Sequence, residues 1–276
     1  MIFITNAEFM RAVDAWERKL PEFDAFCGIP RSGVWPAVML AMKRNKPLLS
    51  LEQLYLGAVG NAKRILVVDD NGTARAQTFN KVKARLTDCS FAWEYGLVYR
   101  STPRPSHSAV DVRQPPIFEY DWHRRHYVNS LALDMDGVIC EDFTGVEQCE
   151  DDPHYLHFLE NVKPIRRFIS RKGLPLQLGA VVTGRLERYR PQTQAWLERH
   201  GVKYRHLSMY PGSLADRRRR DDAWQTKADF VKQYPREDLW FFVESSPKQA
   251  KAIAEAAQRM VWCPTNSTVY QPLTSK

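Results

Sequence analysis

Two aspartates, Asp134 and Asp136, follow the apolar run Leu131-Ala132-Leu133 and stand directly before Gly137. If the run is a strand, alternation sends both carboxylates to one side, and the glycine turn keeps them at the sheet edge. Such a pair suits phosphoryl transfer. One carboxylate attacks phosphorus, the other donates and later accepts the proton, and Mg²⁺ shields the charge. Arg185 and Arg188 follow a second apolar run and are candidates to hold a substrate phosphate through their guanidinium groups.

The first half carries two further loops with chemical content. Gly28-Ile29-Pro30-Arg31-Ser32-Gly33 connects an apolar strand to a helical pattern, and a tight turn at a helix N-terminus lets backbone N–H groups grip an anion such as pyrophosphate. The second loop, Asp69-Asp70-Asn71-Gly72-Thr73-Ala74-Arg75-Ala76-Gln77-Thr78, begins with adjacent carboxylates at a strand end. Vicinal ribose hydroxyls need such acceptors, and a 5′-phosphate needs the donors that Thr73, Thr78, Arg75 and the next helix N-terminus supply.

Elements that position these residues alternate along the chain. Apolar spacing at Phe9, Val13 and Trp16 predicts an opening helix with Asn6 as its cap. Strands are expected at FDAFCGI, PLLSL, RILVVDD and SFAWEYGLVYR, with helices from Gly33 and over about 74–87, and Ser101–Pro116 reads as a Pro/Ser-rich loop. A second series starts near Asn129: strand LALD, strand LGAVVTG, helix RPQTQAWLERHG, a polar segment around Arg217, helix TKADFVKQY, strand LWFFVES, helix PKQAKAIAEAAQ and strand MVWCP. The expectation is α/β, with two doubly wound, mainly parallel-sheet domains over 1–128 and 129–276. Between Asp136 and Thr183 lie 46 residues, room for a small cap.

The motifs also resemble known families. GIPRSG and VVDDNGTARAQT resemble the pyrophosphate loop and the phosphoribosyl pyrophosphate motif of type I phosphoribosyltransferases, over roughly residues 20–100. That family usually has Thr-Gly-x-Thr where this chain has Ala74-Arg75-Ala76-Gln77, and a mobile lid where it has Ser50–Lys63. DMDGV resembles motif I of the haloacid dehalogenase (HAD) superfamily, which implies Asp134 as nucleophile and Asp136 as acid/base. Thr183 resembles the phosphate-holding hydroxyl of motif II, Lys227 the cation of motif III, and Glu244 the motif IV acid. The resemblance thus implies Mg²⁺ held by Asp134, Asp136 and Glu244, although Ser245 and Ser246 stand where a second acid is common. Taken together, the segments resemble phosphoribosyltransferase–HAD hydrolase fusions.

The chain has 276 residues, 44% of them hydrophobic, and no run approaches the ~18 consecutive apolar residues of a membrane span. Its start lacks the marks of a secretory signal, so the cytoplasm is the expected location. Five scattered cysteines without a CxxC pair argue for reduced thiols and against a zinc site. Net charge is +8, yet residues 1–128 hold 18 Lys/Arg against 13 Asp/Glu, so neither half is a basic domain. Asp216, Asp221 and Asp222 offset the Arg217–Arg220 run, which reads as a solvated surface segment and argues against nucleic acid as a partner. Three functions follow as expectations. The first is transfer of phosphoribose from phosphoribosyl pyrophosphate to an unidentified acceptor, coupled to hydrolysis of a phosphomonoester. The second is a phosphatase whose first domain senses a phosphorylated ribose compound. The third is a phosphatase or binding protein acting on nucleic acid. Oligomeric state is unreadable.

Overall fold

The computed structural model describes residues 2–72, 77–101, 105–114, 116–170 and 172–272. They form two compact units, Met1–Tyr120 and Asp121–Lys276. The division falls ahead of the expected 128/129 boundary, and the reason is Trp122. Its buried ring lies edge-on to Trp262 at 5.6 Å and tilted on Phe168 at 6.1 Å, so the segment after Tyr120 belongs to the second unit.

In the first unit β1 (Ile2–Ile4) leads into α1 (Asn6–Glu17). Thr5, not Asn6, is the cap: its hydroxyl accepts from the Glu8 N–H at 3.2 Å, and the Glu8 carboxylate accepts from the Thr5 N–H at 2.8 Å. This reciprocal box satisfies two orphan donors, whereas Asn6 already has helical geometry. There follow β2 (Ala25–Gly28), α2 (Val34–Arg44), β3 (Leu48–Leu49), α3 (Leu51–Tyr55), β4 (Arg64–Gly72), α4 (Gln77–Arg85), β5 (Ala92–Arg100), β6 (His107–Asp111) and β7 (Pro116–Phe118). Thus α3 occupies part of the Ser50–Lys63 segment expected as a lid. The β6 strand lies inside the segment expected as a loop, because His107, Ser108, Val110 and Asp111 pair in register with β5 despite the flanking prolines.

The main sheet runs β3-β2-β4-β5-β6, all parallel, while β1 and β7 pair separately. Strand alternation builds two cores. Phe26, Leu66 and Val68 face Phe9, Val13, Trp16 and Leu40 of α1 and α2, whereas Cys27, Ile65 and Val67 face Leu54 and Val82 of α3 and α4. Helices therefore cover both faces, as parallel sheets require.

The second unit contains β8 (Leu131–Leu133), α5 (Pro153–Asn161), β9 (Gln177–Leu186), α6 (Arg190–Arg199), β10 (Lys203–Tyr210), α7 (Leu214–Arg220), α8 (Ala223–Lys232), β11 (Phe241–Val243), α9 (Pro247–Ala257), β12 (Met260–Cys263) and β13 (Thr268–Tyr270). Its sheet order is β10-β9-β8-β11-β12-β13, parallel except for β13. The strands β10 and β13 have no counterpart in the sequence expectation, because their polar residues mask the alternation. Sheet order reverses at β8, so the ends of β8 and β11 open on a crevice with helices passing to either side. Among the described residues, no helix is long and apolar enough to cross a membrane.

Candidate active site

Asp134 continues from β8 and stays locked to the sheet, its N–H donating to the Val243 carbonyl of β11 at 2.9 Å. Chain reversal behind it depends on Gly137, whose φ is +73° and whose missing Cβ would lie 2.6 Å from the Ser245 Cβ. Any other residue there is strained and clashes, so the glycine brings the aspartate turn against the loop after β11.

A cleft of about 470 Å³ opens at this edge, lined by Asp134, Asp136, Arg185, Lys227 and Glu244 together with residues of the segment after Asp136. Lys227, whose sequence context is equally that of a surface lysine, is buried at 2% exposure. Its ammonium donates to Asp134 Oδ2 at 2.8 Å and to Glu244 Oε2 at 2.7 Å. Removal from water and the neighbouring Glu244 and Asp136 charges push the Asp134 carboxyl well up, against the downward pull of Lys227. Against its burial, Asp134 and Glu244 hold the Lys227 ammonium protonated above its ordinary range.

Arg185 is also buried, and its Nε donates to Asp136 Oδ1 at 3.1 Å and Oδ2 at 2.9 Å. Its Nη2 reaches Asp136 Oδ1 and, at 3.5 Å, Cys140 Sγ, while the Phe158 ring lies 5.5 Å beneath the guanidinium. Thr183 sits behind the cleft at 2% exposure, with its hydroxyl accepting from the Arg185 N–H at 3.2 Å.

The expected metal ligands are oxygen donors of the kind Mg²⁺ prefers. Their arrangement, however, presents no ligand set. Asp134 Oδ1 accepts from Met135 N–H at 2.8 Å and Glu244 Oε1 from Ser246 N–H at 3.0 Å, while Lys227 and Arg185 take the other four oxygens. Among the described residues, no group of three or more His, Cys, Asp or Glu is placed to hold a metal ion.

Arg188 lies outside the cleft. It is half-exposed and pairs with Glu150 and, at 2.7 Å, with Asp151, so it does not join the residues that line the cleft. Conversely, the arginine run is not simply a solvated segment. A capping box between Ser213 and Asp216 starts α7, and two of its arginines line the cleft. Arg217 donates to the Gly184 carbonyl at 2.7 Å and to Glu147 at 2.6 Å, and Arg218 donates to the Glu147 carbonyl. Tyr189 completes the buried Glu147 cluster with a 2.7 Å hydrogen bond. Asp142 and Glu147 join the cleft without a sequence signal beyond the acidity of their segment, and Tyr155 of α5 lines it with them.

In the first unit the two loops meet. A Cβ on Gly28 would fall 2.3 Å from the Val34 Cα, and one on Gly33 would fall 2.4 Å from the Val68 carbonyl and 2.8 Å from the Asp69 Cα. Only glycine allows this approach, which sets the 28–33 turn against the β4 end and its acidic pair. The Ile29 N–H fixes it by donating to the Val68 carbonyl at 2.8 Å, and the Pro30–Arg31 peptide is cis. Arg31 is exposed and Ser32 half-buried. The acidic loop differs from expectation in that β4 continues as strand through Asn71 and Gly72, paired with Tyr99 and Arg100. Asp70 is buried rather than open, accepting from Tyr120 Oη at 2.7 Å and from Asn71 N–H at 2.8 Å. Asp69 is half-buried beside it. Thr73 and Arg75 lie outside the described residues. Thr78 is exposed on α4 and borders a separate groove of about 610 Å³ with Ile29, Pro30, Lys81 and Arg85.

No protein-family model and no curated protein matches the chain. Among solved structures it is similar to the purine phosphoribosyltransferase of Pyrococcus horikoshii, at 17% identity over 53% of this chain and 98% of that one, with a TM-score of 0.35. It is similar also to the xanthine-guanine-hypoxanthine phosphoribosyltransferase of Helicobacter pylori, at 12% identity over 43% and 92%, with a TM-score of 0.35. A third is a hypothetical protein of Neisseria gonorrhoeae with bound ppGpp, at 18% identity over 44% and 89%, with a TM-score of 0.37.

Proposed function

We propose that the second unit hydrolyses a phosphomonoester through an aspartyl-phosphate at Asp134, and that the first unit transfers phosphoribose from phosphoribosyl pyrophosphate to an acceptor. One observation carries the hydrolase reading: Asp134, Asp136, Lys227, Glu244 and Arg185 converge from four separate stretches of chain on one cleft at the sheet's switch point. An Asp134 carboxylate oxygen attacks phosphorus as the P–O bond to the leaving group breaks, and the leaving oxygen takes a proton from Asp136. Water then cleaves the aspartyl-phosphate and returns a proton to Asp136. Lys227 holds Asp134 in place and offsets its charge between two carboxylates. Mg²⁺ belongs to this proposal as the cofactor: held by Asp134, Asp136 and Glu244, it would shield the negative charge shared by phosphate and carboxylates.

Asp134→Asn tests the reading, since the amide has the carboxylate's shape and no competent nucleophile. Hydrolysis of an aryl phosphate with Mg²⁺ should vanish while the melting profile persists. Turnover surviving in the variant removes Asp134 from the role, and indifference of the native protein to EDTA removes the metal.

A second reading, in which the first unit only senses phosphorylated ribose, has its own support. Tyr120 occupies Asp70, and Ala74–Gln77 replaces the Thr-Gly-x-Thr of the resembled family. Pyrophosphate release over a panel of acceptors separates the two.

A further inference from the structure

Cations in the hydrolase cleft are not equivalent. Lys227 is closed in by two carboxylates, and Arg217 ends on Glu147 and the Gly184 carbonyl. Arg185 instead has a spare edge. Its Nε and Nη2 span Asp136, but Nη1 has no hydrogen-bond partner, on a fully buried side chain in the cleft wall. A buried charged donor left unmet is costly, so the geometry calls for an acceptor arriving from the cleft.

Asp136 has the complementary problem. Arg185 engages both its oxygens, and the Cys140 thiol lies 3.3 Å from one of them. Oδ1 accepts from three donors and Oδ2 from one, so a carboxylate so held competes poorly as an acid or a ligand until Arg185 lets go.

We propose that Arg185 is a phosphate-operated latch: it masks Asp136 in the free protein and releases it when a substrate phosphate engages the spare Nη1 edge. A phosphate dianion carries more charge and more acceptor oxygens than one carboxylate, so it wins the guanidinium when both are within reach. The Phe158 face beneath the guanidinium does not fix the direction of its N–H groups, so that contact survives the exchange. This rests on the phosphomonoesterase reading and deepens it. Asp136 becomes available only with phosphate present, which orders the substrate ahead of a divalent cation.

Calorimetry on the full chain, with inorganic phosphate and Mg²⁺ as probes, tests the latch without turnover. Asp136→Asn removes the competing anion, so phosphate alone should bind about tenfold tighter than to wild type. Asp142→Asn removes a cleft carboxylate whose Oδ1 is held by the Phe143 N–H rather than by Arg185, and its gain should be clearly smaller. In wild type, phosphate should tighten Mg²⁺ by about tenfold, and Arg185→Gln should abolish that coupling while Arg217→Gln retains it. Equal gains in the two aspartate variants, unchanged coupling in Arg185→Gln, or no phosphate binding to wild type and Asp136→Asn alike would overturn the latch. Should Arg185→Gln not fold, the aspartate pair decides alone. Failure of the phosphomonoesterase reading shows elsewhere, as retained aryl phosphate hydrolysis in Asp134→Asn.

Discussion

Replacing Lys227 with methionine keeps an unbranched stem one atom shorter and removes the charge and the donors at its tip. The ammonium bridges two carboxylates that are themselves 5% and 1% exposed, so the variant strands Asp134 and Glu244 in the protein interior. Breaking a buried pair in this way costs about 3–5 kcal/mol, against a total stability of roughly 5–15 kcal/mol for a domain. With about 2–4 °C lost per kcal/mol at this size, the melting temperature of the second unit should fall by roughly 6–20 °C. Deleting the whole triad, as Lys227→Met with Asp134→Asn and Glu244→Gln, should recover most of the loss, because no unpaired charge remains. Acid should also shrink the deficit of the single variant. Burial and the neighbouring acids already hold the Asp134 carboxyl above its unfolded value, so at that group the folded form gains its proton first as pH falls. Calorimetric melts of the three proteins at neutral pH and near pH 5 provide the measurement. A single variant within about 1 kcal/mol of wild type, or a triple variant no more stable than the single, would refute the buried-triad argument.

In the first unit, Gly33→Ala should destabilise by about 1–3 kcal/mol, because its Cβ meets backbone at the β4 end, and should weaken phosphoribosyl pyrophosphate binding in the same calorimetric series. Asp69→Asn with Asp70→Asn should weaken that binding by removing ribose-hydroxyl acceptors, while Asp134→Asn leaves it unchanged; no wild-type affinity at millimolar ligand ends the ribose-phosphate reading. Tyr120→Phe should cost about 1–3 kcal/mol in stability, since it withdraws the donor from buried Asp70. Burial, with Arg166 and Arg124 nearby, pulls the His123 imidazole down from 6.5 to about 4, so between those values the unfolded chain binds more protons. Stability of the second unit should therefore decline as pH drops through that window, by at most about 3 kcal/mol, and His123→Phe should flatten the decline in pH-dependent melts.

Where a residue's role follows from its place on a strand, the sequence is readable. Asp134 and Asp136 follow an apolar triplet, and a turn after such a triplet has few places to put two carboxylates. The same holds for Gly28 and Gly33, whose spacing brackets a strand-to-helix turn. Lys227 and Glu244 are legible as types in the right order but not as partners, because their meeting on Asp134 depends on how α8 and β11 pack around β8. Tyr120 and Asp70, fifty positions apart, are illegible for the same reason. The arginine run misleads because one-dimensional charge counting averages over a helix. Periodicity places Arg217 toward Glu147, while the Arg219 side chain stays 71% exposed beside Asp216.

The cleft's charge balance explains why these pairings form and what they leave undone. Its lining holds six carboxylates, Asp134, Asp136, Asp142, Glu147, Asp221 and Glu244, against four cations, Arg185, Arg217, Arg218 and Lys227. The excess is felt by the acids themselves. Burial raises the Asp142 carboxyl, and the charges of Asp136 and Glu244 add to the shift, as neighbouring acids do at Asp134. Each of these cations already meets a carboxylate or a carbonyl, and among their buried donors the Nη1 of Arg185 is left idle. A phosphate dianion entering such a cleft deepens the excess unless positive charge comes with it, because like charges at close range in a partly dry site repel strongly. One route is exchange, in which Arg185 gives up Asp136 for the phosphate. The other is import, in which a divalent cation settles on the carboxylate thus released. Neither suffices alone, since exchange merely strands Asp136 and import finds both Asp136 oxygens engaged by Arg185, and this is the physical reason the two are proposed to be coupled.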